Sequence, residues 1–134
     1  MTDGGRMPIA SNADVVAVRQ QVRAVAIEAG MSLIDQTKVV TAASELARNV
    51  LVHAGGGRVT VEVVEDGRRR GLRLAFSDEG PGIADVEQAL VDGYTTGAGL
   101  GLGLGGSRRL VDQFDLTSAP GEGTTIVVTK WARG

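Results

Sequence analysis

Apolar residues recur along this chain with two different periods, and the change of period divides it into elements. Ser11-Asn12 with Asp14 offers a helix N-cap and a first-turn acid, and Val15, Val18, Val22 and Val25 then fall at helical spacing until Gly30. Ser32 caps a second helix expected to run to about Ala54, with Val39, Ala43, Leu46 and Val50 as its buried stripe and Gly55-Gly56-Gly57 as its stop. From Arg58 the period becomes two. Val59, Val61 and Val63 alternate with Thr60 and Glu62, and after a turn at Asp66-Gly67 the alternation resumes in Leu72, Leu74 and Phe76, which predicts an antiparallel hairpin.

The flanking segments read less sharply. Arg6 to Ala10 suits a short edge strand, Asp85 to Val91 a short helix, and Ser107 to Gln113 a further helix. Phe114 to Ser118 and Thr124 to Trp131 read as strands around a Pro120-Gly121-Glu122-Gly123 turn, with Ile126 and Val128 facing one way. The element order predicts an α+β fold: a two-layer α/β sandwich with helices on one face of a mostly antiparallel sheet.

Composition narrows the function classes. A chain of 134 residues suits one domain, 1–134, able to bury a core without covalent staples, and the absence of cysteine excludes disulfides and thiolate metal sites. No apolar run reaches the ~18 residues of a membrane span, so no membrane association and a cytoplasmic location are expected. The net charge is only -2, and the basic run Arg68-Arg69-Arg70 has no interleaved aromatic, which argues against nucleic acid and assigns the run to a solvated loop at the hairpin tip. Glycine is abundant, 20 residues against a usual share of about 7%, and it is clustered where backbone must bend or approach a ligand.

Four clusters carry candidate chemistry. Glu45 and Asn49 stand four apart on the second helix and project from one face beside Arg48, read as a polar patch opposite the core stripe. A carboxylate there can take a proton from a hydroxyl, and an amide oxygen is a hard ligand suited to Mg²⁺; an ordinary solvated helix face would look the same. In Phe76-Ser77-Asp78-Glu79-Gly80-Pro81-Gly82-Ile83 an apolar strand runs into an acid and two glycines around a proline. An acid at a strand end can accept from an exocyclic amine such as adenine's, and glycines admit a flat ring, although a plain β-turn also explains Gly80-Pro81-Gly82.

The third cluster is Gly93 to Gly106, read as an irregular glycine-rich segment with Gly97, Gly99, Gly101, Gly103, Gly105 and Gly106 interleaved with Leu100, Leu102 and Leu104. Its backbone N–H groups can cradle phosphate, aided by the N-terminal end of the helix that follows. The Walker and dinucleotide motifs both fail on context, because no Gly-Lys-[Ser/Thr] closes the loop and no strand precedes it. The fourth is Gly121-Glu122-Gly123-Thr124, a tight turn with a hydroxyl at the start of the last strand. His53, the single histidine, follows Asn49 by one turn and reads as a capping or packing residue more readily than a phosphoacceptor.

In this order and spacing the clusters resemble the nucleotide-binding boxes of the GHKL superfamily, which includes gyrase, histidine kinases and mismatch-repair ATPases. Ser44-Glu45-Leu46-Ala47-Arg48-Asn49 resembles the N box, Asp78 to Ile83 the first glycine box, Gly99-Leu100-Gly101-Leu102-Gly103 the second, and Gly121 to Thr124 the last. Within the superfamily, the Ser-Glu-Leu-Ala-Arg-Asn phrase, the compact Gly93–Gly106 lid and the terminal Lys130-Trp131 are most similar to the bacterial partner-switching kinases of the RsbT type in the stressosome pathway. The resemblance implies a histidine-kinase-like ATPase fold with a mostly antiparallel mixed sheet, and ATP with Mg²⁺ as cofactors.

Position by position, it implies Glu45 as general base, Asn49 as the Mg²⁺ ligand, Asp78 as the adenine-binding acid, Gly80 and Gly82 flanking adenine, Gly99, Leu100, Gly101, Leu102 and Gly103 as lid contacts, and Thr124 as the adenine-side hydroxyl. It further implies phosphorylation of a serine or threonine on a small STAS-domain antagonist, followed by activation of a downstream phosphatase or effector. The alternative is an anti-sigma-type or non-catalytic ATP-dependent module that sequesters a partner. A homodimer is also open, since anti-sigma relatives dimerise. At one point the chain departs from those relatives: where they carry a lid arginine, it reads Ala98-Gly99-Leu100-Gly101, with Arg108 and Arg109 lying beyond. Phosphoryl transfer depends on positive charge at the γ-phosphate, so slow turnover is expected.

Overall fold

The computed structural model describes residues 5–80 and 103–132. The elements are β1 (Gly5–Ile9), α1 (Asn12–Glu28), α2 (Leu33–Ala54), β2 (Gly57–Asp66), β3 (Arg69–Asp78), α3 (Gly103–Arg109), β4 (Gln113–Ser118) and β5 (Thr124–Trp131). The sheet has the order β1-β2-β3-β5-β4, and every pairing among the described residues is antiparallel.

Local chemistry sets the helix ends where the caps predict. The Ser11 and Ser32 hydroxyls accept from the backbone N–H of Asp14 and Asp35, which satisfies donors that the first helical turn leaves without partners. Gly55 ends α2 in the left-handed region at φ 75°, with its N–H returned to the Leu51 carbonyl.

Register then aligns the apolar faces. Val59, Phe76 and Ile126 are cross-strand neighbours, as are Val61, Leu74 and Val128, so alternate residues of three strands form one continuous apolar sheet face. Val18, Val22 and Val25 of α1 and Val39, Ala43 and Leu46 of α2 are fully buried in the same core. The result is the expected sandwich of helices on one sheet face.

Three expectations are corrected. The helix placed at Ser107 to Gln113 lies at Gly103–Arg109 instead, so the last four residues assigned to the irregular Gly93–Gly106 lid are helical and Gln113 opens β4. Packing overrides glycine's poor helix propensity here, because Leu104 reaches the core, Ser107 is fully buried, and α3 lies along α2. The arginine run is not a loop: Asp66 pairs with Arg69 in register, leaving Gly67 and Arg68 as the turn, and Arg69 and Arg70 begin β3. Arg69 reaches Asp66 at 2.6 Å and stacks 4.2 Å from the Trp131 ring centroid, so it is exposed but held. The helix expected at Asp85 to Val91 and residues 93–102 of the lid lie outside the described residues.

Lys130 carries one feature that the alternation conceals. It follows Ile126 and Val128 on the core-facing side of β5 and is only 2% exposed, with its Nζ 3.5 Å from Oδ1 of Asp35 and 3.9 Å from Oδ2 of Asp112. Asp112 Oδ2 also accepts the Trp131 N–H at 2.7 Å. A buried pair of this kind adds little net stability, but it fixes geometry: here it ties the first turn of α2 to the last strand and to the segment leaving α3.

Candidate nucleotide site

One end of the sheet brings together Asp78, Gly80 and Thr124 of the residues singled out from the sequence. Asp78 closes β3 and is paired in register with Thr124 at the start of β5, which is itself paired with Ser118 at the end of β4. Asp78 Oδ1 accepts the Gly80 N–H at 2.9 Å, an interaction that turns the chain out of the strand and orients the carboxylate. No other hydrogen bond to this carboxylate occurs among the described residues, leaving Oδ2 with acceptor capacity for a ligand.

The glycines around the acid are there for packing. A Cβ on Gly80 would stand 2.6 Å from the Ala54 Cβ, and one on Gly57 would meet Val50 Cγ1 at 2.8 Å and Asp78 Cβ at 3.1 Å. Gly123, at φ 76°, leaves no room for a Cβ against the Asp78 carbonyl. Gly80 therefore lets α2 approach the end of β3, a reason beyond access for a flat ring. These contacts seat the C-terminal half of α2 across the ends of β2 and β3.

That seating brings in the helical pair. Val50 and Ala54, one turn apart, touch the Asp78 corner, and Asn49 adjoins Val50 with Glu45 one turn before it. The two are not a patch opposite the core: both are half-buried, whereas Arg48 beside them is exposed. The reason is that α2 packs on two sides, against the sheet and against α1 and α3, which draws the border of its buried surface past Ala42, Ala47 and Asn49. Asn49 Nδ2 is fully buried and has no hydrogen-bond partner among the described residues.

An unsatisfied buried amide costs ~1–3 kcal/mol, and the partner that Nδ2 lacks is a hydrogen-bond acceptor. No group of three or more His, Asp or Glu side chains suited to a cation occurs among the described residues. Mg²⁺ takes one or two protein ligands and keeps substrate oxygens and water for the rest, and an amide oxygen such as that of Asn49 is a hard ligand of the kind it accepts.

Pro81, Gly82, Ile83, Gly99, Leu100, Gly101 and Leu102 lie outside the described residues, and Gly103 is the first residue of α3. His53 is exposed in the last turn of α2. Arg108 and Arg109 occupy the last turn of α3 and are exposed. Sequence reasoning missed Ser118, Gly57 and the Asp35–Lys130 pair; only register places Ser118 beside Thr124.

The family model described as "Histidine kinase-, DNA gyrase B-, and HSP90-like ATPase" matches residues 34–133, the stretch that holds α2, the strand-end corner and β5. The chain belongs to this ATPase family. It is 45% identical over 133 residues to the serine/threonine-protein kinase RsbT of Bacillus subtilis, covering 99% of this chain and 100% of that protein. It is 28% identical over 119 residues to an anti-sigma F factor of Thermoanaerobacter, covering 84% and 82% of the two chains. In fold it is similar to the RsbU and RsbW domains of a Mycobacterium tuberculosis protein, with a TM-score of 0.65 and 23% identity, covering 96% of this chain and 33% of the larger one. No helix among the described residues is long and apolar enough to cross a membrane.

Proposed function

We propose that this member of the ATPase family is a serine/threonine-protein kinase of the RsbT type, working in the cytoplasm as part of a stress-response switch. The observation that carries the reading is the pairing of Asp78 with Thr124 at one sheet end, where Val50 and Ala54 of α2 pack just beyond the half-buried Asn49. The 45% identity to RsbT over 99% of this chain supports it further.

In this reading the adenine amine donates to Asp78, with the Thr124 hydroxyl beside it. Asn49 would hold Mg²⁺, which supplies charge neutralisation at the phosphates. Glu45 takes the proton of a serine or threonine hydroxyl of a STAS-domain antagonist; the new bond forms between that oxygen and the γ-phosphorus as the bond to the β,γ-bridging oxygen breaks, and ADP leaves. Most of the rate comes from positioning. Release of the phosphorylated antagonist frees the kinase for a downstream phosphatase or effector. With Arg108 and Arg109 at the far end of α3, turnover is slow.

Anti-sigma F factor relatives favour a second reading, a module that holds its partner in an ATP-dependent complex. Incubation with γ-labelled ATP, Mg²⁺ and a small STAS-domain protein from the same organism separates the two. Label on a serine or threonine of a STAS protein is the expected result, and a stable complex without label would replace the kinase with the module.

A further inference from the structure

Two hydroxyls meet beside Asp78. Ser118 Oγ lies 2.8 Å from Thr124 Oγ1, and it donates to the Gly123 carbonyl at 3.0 Å. A serine hydroxyl has one hydrogen and two lone pairs. With that hydrogen committed to Gly123, Ser118 can only accept from Thr124, so the Thr124 hydrogen points at Ser118 and its own lone pairs face away. Thr124 is thereby held as an acceptor, next in register to the carboxylate of Asp78, also an acceptor.

We infer that Ser118 is a positioning residue for base selection: by fixing the polarity of the Thr124 hydroxyl, it makes this corner accept from a base bearing an exocyclic amine and reject one bearing a carbonyl at the same position. This rests on the reading of the corner as the base pocket. The amine of adenine has two N–H groups to offer, whereas the six-position carbonyl of hypoxanthine or guanine would set an acceptor against two acceptors. Without Ser118, the Thr124 hydroxyl can rotate and donate to that carbonyl. Gly123 contributes doubly, because its carbonyl anchors Ser118 while its missing side chain admits the Asp78 backbone.

Inosine triphosphate is the sharpest probe, since at the base it replaces the six-position amine with a carbonyl and protonates the adjacent ring nitrogen. Binding of ATP and ITP by calorimetry is expected to show that Ser118→Ala narrows the wild-type preference for ATP about tenfold, the worth of one hydrogen bond, chiefly through tighter ITP binding. Ser118→Thr, which retains the hydroxyl, should keep the preference. In a Thr124→Val background, Ser118→Ala should change the ratio no further, because the residue acts through Thr124. A melting temperature recorded alongside identifies folded variants, and Ser118→Cys, close in shape with a weak donor, serves the same comparison should alanine loosen the turn.

An ATP-to-ITP ratio unchanged in folded Ser118→Ala, while Asp78→Asn loses ATP, would overturn the role of Ser118 alone. Wild-type ATP binding in Asp78→Asn would overturn the pocket itself.

Discussion

Asp78→Asn is expected to lower ATP affinity by about two orders of magnitude and leave the fold intact. The Gly80 N–H already occupies Oδ1 of Asp78, so in the variant it will hold the amide oxygen and turn the NH₂ group toward the base. A charge-assisted bond worth ~1.5–3 kcal/mol becomes a donor facing a donor. The strand pairing of Asp78 with Thr124 is made by backbone and survives, as does the turn at Gly80. Calorimetric titration with ATP, beside a thermal melt, measures both halves of the expectation. Wild-type affinity in a folded variant would remove the acid from the base pocket.

Glu45→Ala should separate binding from chemistry. Glu45 lies one turn before Asn49 and two turns before the α2 residues nearest Gly80, so its loss removes no contact to the strand-end corner. ATP affinity should stay within about threefold of wild type, whereas phosphoryl transfer should fall by roughly 10²–10⁴, the usual contribution of a positioned general base. A change confined to kcat is the signature of a group that acts only in the transition state. Single-turnover transfer from labelled ATP at saturating nucleotide reads this directly, and undiminished transfer would assign the base elsewhere.

What the sequence shows of this molecule follows the range of the interactions involved. The α1 and α2 boundaries are legible because Ser11, Ser32 and Gly55 act on backbone groups within a turn of themselves. The β2–β3 hairpin is legible because alternation and a turn signal lie close together. Helix α3 is misplaced from sequence because Gly103 to Gly106 form helix only where α2 offers a surface for Leu104 and Ser107. Lys130 hides for a similar reason, since its partner Asp35 lies far away in the sequence and no local pattern links them.

The site divides in the same way. Asp78 and Thr124 stand out as an acid at a strand end and a hydroxyl at a strand start, and register then makes them neighbours. Glu45 and Asn49 are recognisable by spacing, but their half-burial arises from packing on both flanks of α2. Ser118 carries no sequence signal, because its importance comes from a hydrogen that Gly123 claims across the turn. Order of motifs along the chain supplies the family, and register together with helix seating supplies the geometry.

In the proposed function one corner, formed by Asp78 and Thr124 with Asn49 on the adjoining helix, holds the nucleotide. A crystal structure with a non-hydrolysable ATP analogue and Mg²⁺ tests it most directly. The base amine is expected within hydrogen-bond distance of the Asp78 carboxylate and Thr124 Oγ1, with the Asn49 amide oxygen on the metal. A nucleotide bound with its base away from Asp78, or on the sheet face opposite the helices, would contradict it.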